Sequence, residues 1–344
     1  MKHLTTLALC VALAAPASAQ VILSAETSAP GASAYLAPAH LTEVASQRGI
    51  ANIQLTDGQV LTNSVLNVAE GKTDLATGPL LLPFLMANGA GPYAALGKEK
   101  GAELAGKLRI LYPFSLGVFF LFAYETKGVK GWEDIAGRTV MNGPPSGAAL
   151  NNARSVIQIV TGLKDGEGYK GIQSDWGQVV SVVSDGTADM AVLPELFPSG
   201  RVVQLSAAGR MRAFPIPKAV FEGEAMQKYL KAPGNAPWTM TVEAAQKGLG
   251  DNWSIEAEDD TFRGLTTVGS VLVNVAMDEE LVYQLTKAHL ETLDQLMAKA
   301  PFAANVGFQN PDMAICGPSP VRFHKGAVRA WEEKGFKIAD CMKD

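Results

Sequence analysis

The segment best suited to chemistry is a turn that reads GPPSG at residues 143–147. It separates a predicted strand at 138–141 from a predicted helix at 146–161, so its backbone amides extend from the N-terminus of that helix. Free amides and the helix dipole favour a carboxylate or a phosphate at such a position. Ser146 either caps the helix or also touches a ligand, and a plain N-cap explains the turn equally well.

Two further strand-to-helix turns occur in the N-terminal half, at residues 27–35 and 57–63. Turns of this kind lie at one edge of a parallel sheet, where open α/β folds bind their ligands. Three of them facing one crevice would form an anion-binding cleft.

Other chemistries lack their signatures. The chain has no phosphate-binding loop, no H-E-x-x-H, no C-x-x-C and no G-x-S-x-G. The glycine pattern at 89–94 is interrupted by Pro92, and the histidines at 40, 289 and 324 lie far apart. We therefore expect no catalytic residue, no cofactor and no metal.

The N-terminus predicts export. Lys2 and His3 precede an apolar stretch at 4–15, and Ala17-Ser18-Ala19 forms a small-residue cleavage site. This pattern is typical of a secretory signal peptide at 1–19, cleaved after Ala19. A membrane anchor is the alternative, but no stop-transfer pattern follows. A periplasmic location is expected.

Export determines how the cysteines are interpreted. The mature chain keeps Cys316 and Cys341, which in an oxidising compartment most simply form one disulfide. Such a bridge closes a loop of about 25 residues and contributes about 3 kcal/mol to stability in the chain-entropy model.

Composition excludes several classes of protein. Of 344 residues, 47% are hydrophobic and 18% charged, which excludes a disordered chain. A net charge of −5 argues against nucleic-acid binding, which needs a basic field. No apolar run after the N-terminus is long enough to span a membrane, so no direct membrane insertion is expected.

Strands and helices alternate in two sets. Strands at 21–24, 50–55 and 74–77 alternate with helices at 35–48 and 61–70, and Gly71 is a plausible end for the second helix. The second set comprises a short helix at 132–135, the strand and helix around the GPPSG turn, and strands at 189–193 and 201–205. Two α/β sets indicate two lobes with a cleft between them.

Three other segments complete this prediction. Pro113 interrupts the apolar segment at 108–123 near its middle, so we expect two strands there, separated by a loop that includes Ser115 and Gly117. A strand at 268–276 precedes a long helix that Asp278 caps and that runs to about residue 299. Residues 231–260 are not placed.

Several segments, in this order and spacing, resemble the TAXI family, the substrate-binding subunits of tripartite ATP-independent periplasmic (TRAP) transporters. They read LYP at 111–113, GVKGWEDIAGRTV at 128–140, the 143–147 turn, DGTADM at 185–190, LVYQLTK at 281–287 and HKGAVR at 324–329. The resemblance covers most of the mature chain.

The resemblance implies an α/β type II periplasmic-binding-protein fold, with two lobes joined by a hinge. We expect lobe 1 to comprise residues 20–122 and 263–344, and lobe 2 residues 123–262. It also implies capture of a small organic anion (a carboxylate or an amino acid) and its delivery to membrane permease subunits driven by an ion gradient. A ligand sensor that reports to a membrane receptor is the main alternative, and an exported enzyme is a weaker one.

The predicted ligand-binding residues come from the turns and strand ends of both lobes. They are Ser33, Tyr35, Asn63, Ser64, Thr77, Tyr112, Ser146, Gly147, Trp176 and Glu195. Arg154 is a candidate carboxylate clamp, although its place two turns into a helix favours a surface role. Arg138 is interpreted as structural.

Overall fold

The computed structural model describes residues 20–28, 30, 33–145, 148–299, 310–314, 316–317 and 320–344. The predicted signal peptide at 1–19 lies outside the described residues, and so do Ser146 and Gly147. No helix in the described ranges is long and apolar enough to cross a membrane.

The strands of the described chain form one mixed sheet of twelve. They are β1 Val21–Glu26, β2 Ala51–Thr56, β3 Leu75–Pro79, β4 Leu108–Tyr124, β5 Thr139–Met141, β6 Lys170–Ile172, β7 Met190–Glu195, β8 Met211–Phe214, β9 Asn235–Thr241, β10 Trp253–Ile255, β11 Thr261–Asn274 and β12 Arg322–Phe323. The main path runs β2-β1-β3-β11-β4-β7-β5-β6, with the other four strands paired beside it.

Helices cover both faces of this sheet. They are α1 Ser33–Gln47, α2 Leu61–Glu70, α3 Leu81–Ala87, α4 Gly97–Ala105, α5 Ala148–Thr161, α6 Val179–Ser184, α7 Gly200–Ala208, α8 Lys218–Phe221, α9 Glu224–Leu230, α10 Val242–Leu249, α11 Glu279–Glu291, α12 Leu293–Ala298 and α13 Lys325–Glu333. Short 3₁₀ turns at Trp132–Ile135 and Trp176–Gln178 lie between them.

Strands β4 and β11 run antiparallel through the whole molecule and divide its core. Up to Phe114 in β4, and from Val268 onward in β11, their buried side chains belong to a core formed with the N-terminal strands and the C-terminal helices. From Val118 onward in β4, and up to Leu265 in β11, they belong to two other cores, one on each face of the sheet. The cores therefore separate within a few residues of the predicted lobe boundaries, which themselves stay a prediction.

Both strands shift register at this same point, which is called the crossing below. Ser115 of β4 pairs with Val268 of β11, whereas Val118 pairs with Thr266, so β4 contains one extra residue there. Gly117 has φ +138°, and a Cβ at this position would lie 3.0 Å from the carbonyl carbon of Pro194 in β7. A glycine is required because any larger residue would push β4 away from β7.

Much of the predicted organisation is confirmed. Helix α2 has the predicted bounds and ends at Gly71, whose φ is +73°. The first three strands pair side by side in parallel, with β1 between β2 and β3. Asp278 caps α11 by accepting a hydrogen bond from the amide of Leu281 at 2.9 Å. The predicted disulfide is present between Cys316 and Cys341, with a Cα–Cα distance of 5.7 Å.

The prediction of two strands at 108–123 is wrong, because β4 is continuous. Pro113, expected to break the segment, pairs with Ser270 inside the sheet. The segment Ser115–Gly117, expected to be a loop, instead lies in the strand, where β4 has one more residue than β11. A bulge changes the strand direction without ending it.

The prediction of a strand at 201–205 is also wrong, because these residues belong to helix α7. Ser199 caps the helix, its Oγ accepting a hydrogen bond from the Val202 amide at 3.2 Å. Val202 and Leu205 are buried whereas Val203 is 60% exposed, which is the spacing of a helix face. The β-branched pair Val202-Val203 favoured a strand locally, but the cap and the packing decide.

Two further predictions need adjustment. The long helix after Asp278 is interrupted at Thr292, whose Oγ1 donates to the carbonyl of Ala288 at 2.8 Å. The last strand is longer than predicted, since β11 begins at Thr261. The unplaced residues 231–260 contain β9, α10 and β10.

Candidate functional site

A cleft of about 410 Å³ opens where β4 and β11 shift register. Leu116 and Thr267 of the two long strands form part of its wall. The remaining lining residues come from both sides of the crossing: Ser33, Pro79, Ala148, Ala149, Trp176, Pro194 and Arg201. A second compartment of about 440 Å³ shares much of this wall and extends to Glu195 and Ser199. The cleft therefore lies between the cores that β4 and β11 connect.

Its principal charged group is the ion pair of Arg201 and Glu195. Glu195 ends strand β7, and Arg201 lies in the first turn of α7. Arg201 Nε donates to Glu195 Oε1 at 2.6 Å, and its Nη2 donates to the carbonyl of Pro194 at 3.1 Å. Glu195 is 1% exposed, whereas the side chain of Arg201 is 23% exposed. Burial raises the pKa of the Glu195 carboxyl, while the charge and hydrogen bond of Arg201 act in the opposite direction.

Trp176 lies against the arginine of this ion pair. The guanidinium carbon of Arg201 lies 5.0 Å from the centre of the Trp176 ring. Trp176 is 41% exposed, which is unusual for so large an apolar side chain. An exposed indole beside a cation suits an apolar or planar ligand part, because the ring offers contact area at low entropic cost.

A cluster of polar groups joins β4 to β11 at the crossing. Ser115 Oγ and Thr266 Oγ1 lie 2.6 Å apart, and both are buried. Thr266 Oγ1 also donates to the carbonyl of Gly117 at 3.0 Å, and the Gly117 amide donates to Ser115 Oγ at 3.2 Å. These bonds satisfy backbone groups that the irregular ladder leaves unpaired.

A second network joins α5, the helix after the GPPSG turn, to the same crossing. Asn152 Nδ2 donates to Asn235 Oδ1 at 3.1 Å and to Thr267 Oγ1 at 3.2 Å. The Tyr229 hydroxyl donates to Asn152 Oδ1 at 2.6 Å. Because Thr267 also lines the cleft, the network fixes the position of α5 relative to the cleft wall.

The structure brings three predicted site residues to the cleft: Ser33, Trp176 and Glu195. Ser33 Oγ reaches across the crossing to donate to the carbonyl of Leu116 at 3.4 Å. Ser146 and Gly147 lie outside the described residues. Their neighbour Ala148 lines the cleft.

The other predicted site residues do not line these compartments. Tyr35 is half-buried on α1, and Asn63 is exposed on α2. Ser64 is buried and bonds back to the carbonyl of Val60 at 3.5 Å. Thr77 is buried, with no hydrogen-bond partner for its hydroxyl in the described chain. Tyr112 is buried in the first core, stacked on His289 at 3.6 Å between ring centres. A binding role for these residues stays a prediction.

Sequence reasoning missed Arg201. The misassigned strand at 201–205 concealed it, whereas the helix places Arg201 six residues after Glu195 across a turn. Arg154 bonds Asp165 instead, with Nε to Oδ2 at 2.8 Å, and does not line the cleft. Arg138 donates to the carbonyl of Lys127 at 2.9 Å, as a structural residue would. The sequence signal that could have identified Arg201 is a serine N-cap followed closely by an arginine, shortly after a buried acidic residue.

Comparisons with known proteins address the fold and the family. A family model described as the NMT1-like family matches residues 27–335. No curated protein matches. The solved structure of a periplasmic transporter is 12% identical with a TM-score of 0.52, over 87% of this chain and 93% of that one.

Two other solved structures show similar coverage. A TRAP periplasmic solute-binding protein from Rhodobacter sphaeroides is 13% identical with a TM-score of 0.49, over 94% of this chain and 96% of that one. The periplasmic aliphatic sulphonate binding protein SsuA from Escherichia coli is 12% identical with a TM-score of 0.46, over 91% and 83%.

The predicted α/β fold is confirmed, since the likeness to the periplasmic transporter extends over most of both chains, and the family model matches the greater part of this chain. The chain belongs to the NMT1-like family.

Proposed function

We propose that this protein is a periplasmic solute-binding protein that captures a small organic anion. The observation that carries the proposal is the Arg201 guanidinium on the cleft wall. Its Nε and Nη2 are engaged by Glu195 and Pro194, and its Nη1 has no hydrogen-bond partner in the described chain. A partly exposed guanidinium with a free N–H edge suits a carboxylate or a sulfonate.

Closure of two lobes about β4 and β11 would bury this ligand. The division of the core at the register shift supports a hinge there, and we propose lobe 1 as residues 20–122 and 263–344 and lobe 2 as 123–262. Ligand contacts to both lobes would favour the closed state. Ser33 lies on α1, which packs on the first core, whereas Trp176 and Arg201 lie next to α6 and on α7, which pack on another core, and these three side chains would supply such contacts.

A binding role fits the cleft better than catalysis. The serines on its described wall, Ser33 and Ser199, bond backbone groups rather than a general base. Nucleophilic catalysis by serine needs a base within hydrogen-bond reach. The described residues contain no group of three or more His, Cys, Asp or Glu that could hold a metal ion.

We further propose that the protein belongs to the TAXI type and delivers its ligand to the membrane permease subunits of a TRAP-type transporter driven by an ion gradient. The sequence segments quoted above support this assignment, and the predicted signal peptide supports the periplasmic location. Solved structures of similar fold include a TRAP solute-binding protein and a sulfonate-binding protein.

The test is thermal unfolding of refolded residues 20–344 against a panel of carboxylates, amino acids and sulfonates. A ligand at a hundredfold excess over its dissociation constant adds about 2.7 kcal/mol to the stability of the folded state. We expect one chemical class to raise the unfolding midpoint of the wild type and of Arg154→Met, which removes an arginine outside the cleft. The same class should leave Arg201→Met unshifted. A panel that shifts neither the wild type nor the Arg154 variant would contradict the proposal.

A further inference from the structure

One carboxylate oxygen of Glu195 accepts no hydrogen bond from the described residues. Its Oε1 accepts the hydrogen bond from Arg201 Nε, but its Oε2 is buried and has no partner in the part of the chain that the structure describes. Glu195 also lines the second compartment of the cleft. Buried polar atoms in native proteins are nearly all hydrogen-bonded, so an open carboxylate oxygen at a binding cleft points to a ligand group.

Two partly buried carboxylates elsewhere in this chain, Asp165 and Asp189, use both oxygens. Asp165 accepts the Gly171 amide on Oδ1 at 2.7 Å and Arg154 Nε on Oδ2 at 2.8 Å. Asp189 accepts Lys127 Nζ on Oδ1 at 3.2 Å and a Thr139 hydroxyl on Oδ2 at 2.8 Å. Glu195 is more deeply buried than either of them, yet it leaves one oxygen open, and it differs from both by lying on the cleft.

The open oxygen and an open donor belong to the two partners of one ion pair. The guanidinium that donates to Oε1 leaves its Nη1 without a hydrogen-bond partner among the described residues. A ligand that places an anionic group on Nη1 and directs a hydrogen-bond donor at Oε2 would complete the hydrogen bonding of both residues.

Charge favours the same ligand. Glu195 and Arg201 are the only charged residues among the described lining of this compartment, and they neutralise each other. A plain anion would add an uncompensated negative charge next to the Glu195 carboxylate, and like charges at close range repel. A neighbouring ammonium offsets that charge, and a hydroxyl donates directly to the carboxylate.

We propose that Glu195 is a specificity-determining residue that selects anions carrying an N–H or O–H donor on the adjacent carbon, namely 2-amino or 2-hydroxy acids. This inference rests on the proposed function of the cleft. Discrimination arises because a ligand without the donor leaves the buried oxygen unsatisfied in the closed site.

The test is calorimetric titration of the refolded protein at pH 7.5 with matched acids: lactate or alanine against propionate, and 2-hydroxyglutarate against glutarate. We expect the donor-bearing member of at least one series to bind about ten-fold or more tightly than its donor-free partner. Glu195→Gln presents an amide N–H₂ at the open position, because the amide oxygen stays with Arg201. We expect this variant to lose or reverse the preference. Asp165→Asn, which alters a carboxylate outside the cleft, should keep it.

The outcomes separate this inference from the proposed function. If paired acids bind equally to the wild type, and Arg201→Met abolishes that binding, the inference fails and the anion site stands. If the preference persists in Glu195→Gln, another group recognises the donor and the inference is overturned. If no organic anion binds at all, both fail. If Glu195→Gln does not fold, the wild type is titrated with 2-methoxypropanoate, which keeps the 2-oxygen of lactate but lacks its hydrogen-bond donor. Equal affinities for lactate and 2-methoxypropanoate would overturn the inference.

Discussion

Removal of the Arg201 side chain should destabilise the protein more than its partly exposed position suggests. Arg201→Met leaves Glu195, which is 1% exposed, as a buried carboxylate with no hydrogen-bond partner among the described residues on either oxygen. Loss of one partner of a buried ion pair costs about 3–5 kcal/mol. Because Arg201 is 23% exposed and water reaches part of the pair, we expect about 3 kcal/mol at pH 7.5.

This destabilisation should depend on pH. Burial already raises the pKa of Glu195 in the wild type, and loss of the arginine charge raises it further. A folded-state pKa above the unfolded value means that the folded protein binds the proton more strongly. Stability therefore falls as pH rises from the unfolded pKa of about 4.5 through the folded value. The difference between Arg201→Met and the wild type should be largest at neutral pH and should shrink on acidification.

Urea unfolding followed by circular dichroism measures this directly at pH 7.5 and pH 5. The set comprises the wild type, Arg201→Met, Glu195→Gln and the double variant. Because Glu195→Gln removes the charge that Arg201 compensates, the double variant should be more stable than Arg201→Met alone, with a coupling energy of about 1.5 kcal/mol or more. A loss below about 1 kcal/mol at both pH values, or simple additivity, would refute the buried-charge argument.

Three further outcomes follow from other parts of the structure. Replacing Cys316 and Cys341 with serine should lower the free energy of unfolding by about 3 kcal/mol, and added reductant should then have no effect on urea unfolding of the variant. Burial lowers the pKa of His40, so the unfolded state binds more protons and stability should fall as pH drops below about 6.5, with a smaller slope in His40→Gln; equal slopes would contradict this. Gly117→Ala should cost about 1–3 kcal/mol, because φ is +138° and its Cβ would lie 3.0 Å from Pro194; wild-type stability would show that the crossing adapts.

The sequence was sufficient to predict the structure of segments in which local signals and tertiary packing favour the same conformation. Helix α2 combines an apolar face with a glycine that adopts a left-handed φ at its end, so its bounds were predictable. The early strands alternate with helices, and that pattern alone indicates a parallel sheet. The disulfide was predictable from the predicted export signal and the two cysteines that lie outside it.

The remaining features depend on tertiary structure. The bulge in β4 was mistaken for a loop, because Pro113 and Gly117 carry the same local signal in either case and only the pairing with β11 distinguishes them. The partners of Glu195 and Trp176 were hidden for the same reason. Arg201 meets both only once α7 folds back over the end of β7, and the valines beside it favoured a strand.

The most direct test of the account is a crystal structure of the protein with the panel member that gives the largest thermal shift. We expect ligand density in the cleft between Ser33 and Trp176, with the anionic group within about 3.2 Å of the Arg201 guanidinium. A ligand bound outside this cleft, or bound inside it without contact to Arg201, would contradict the central claim.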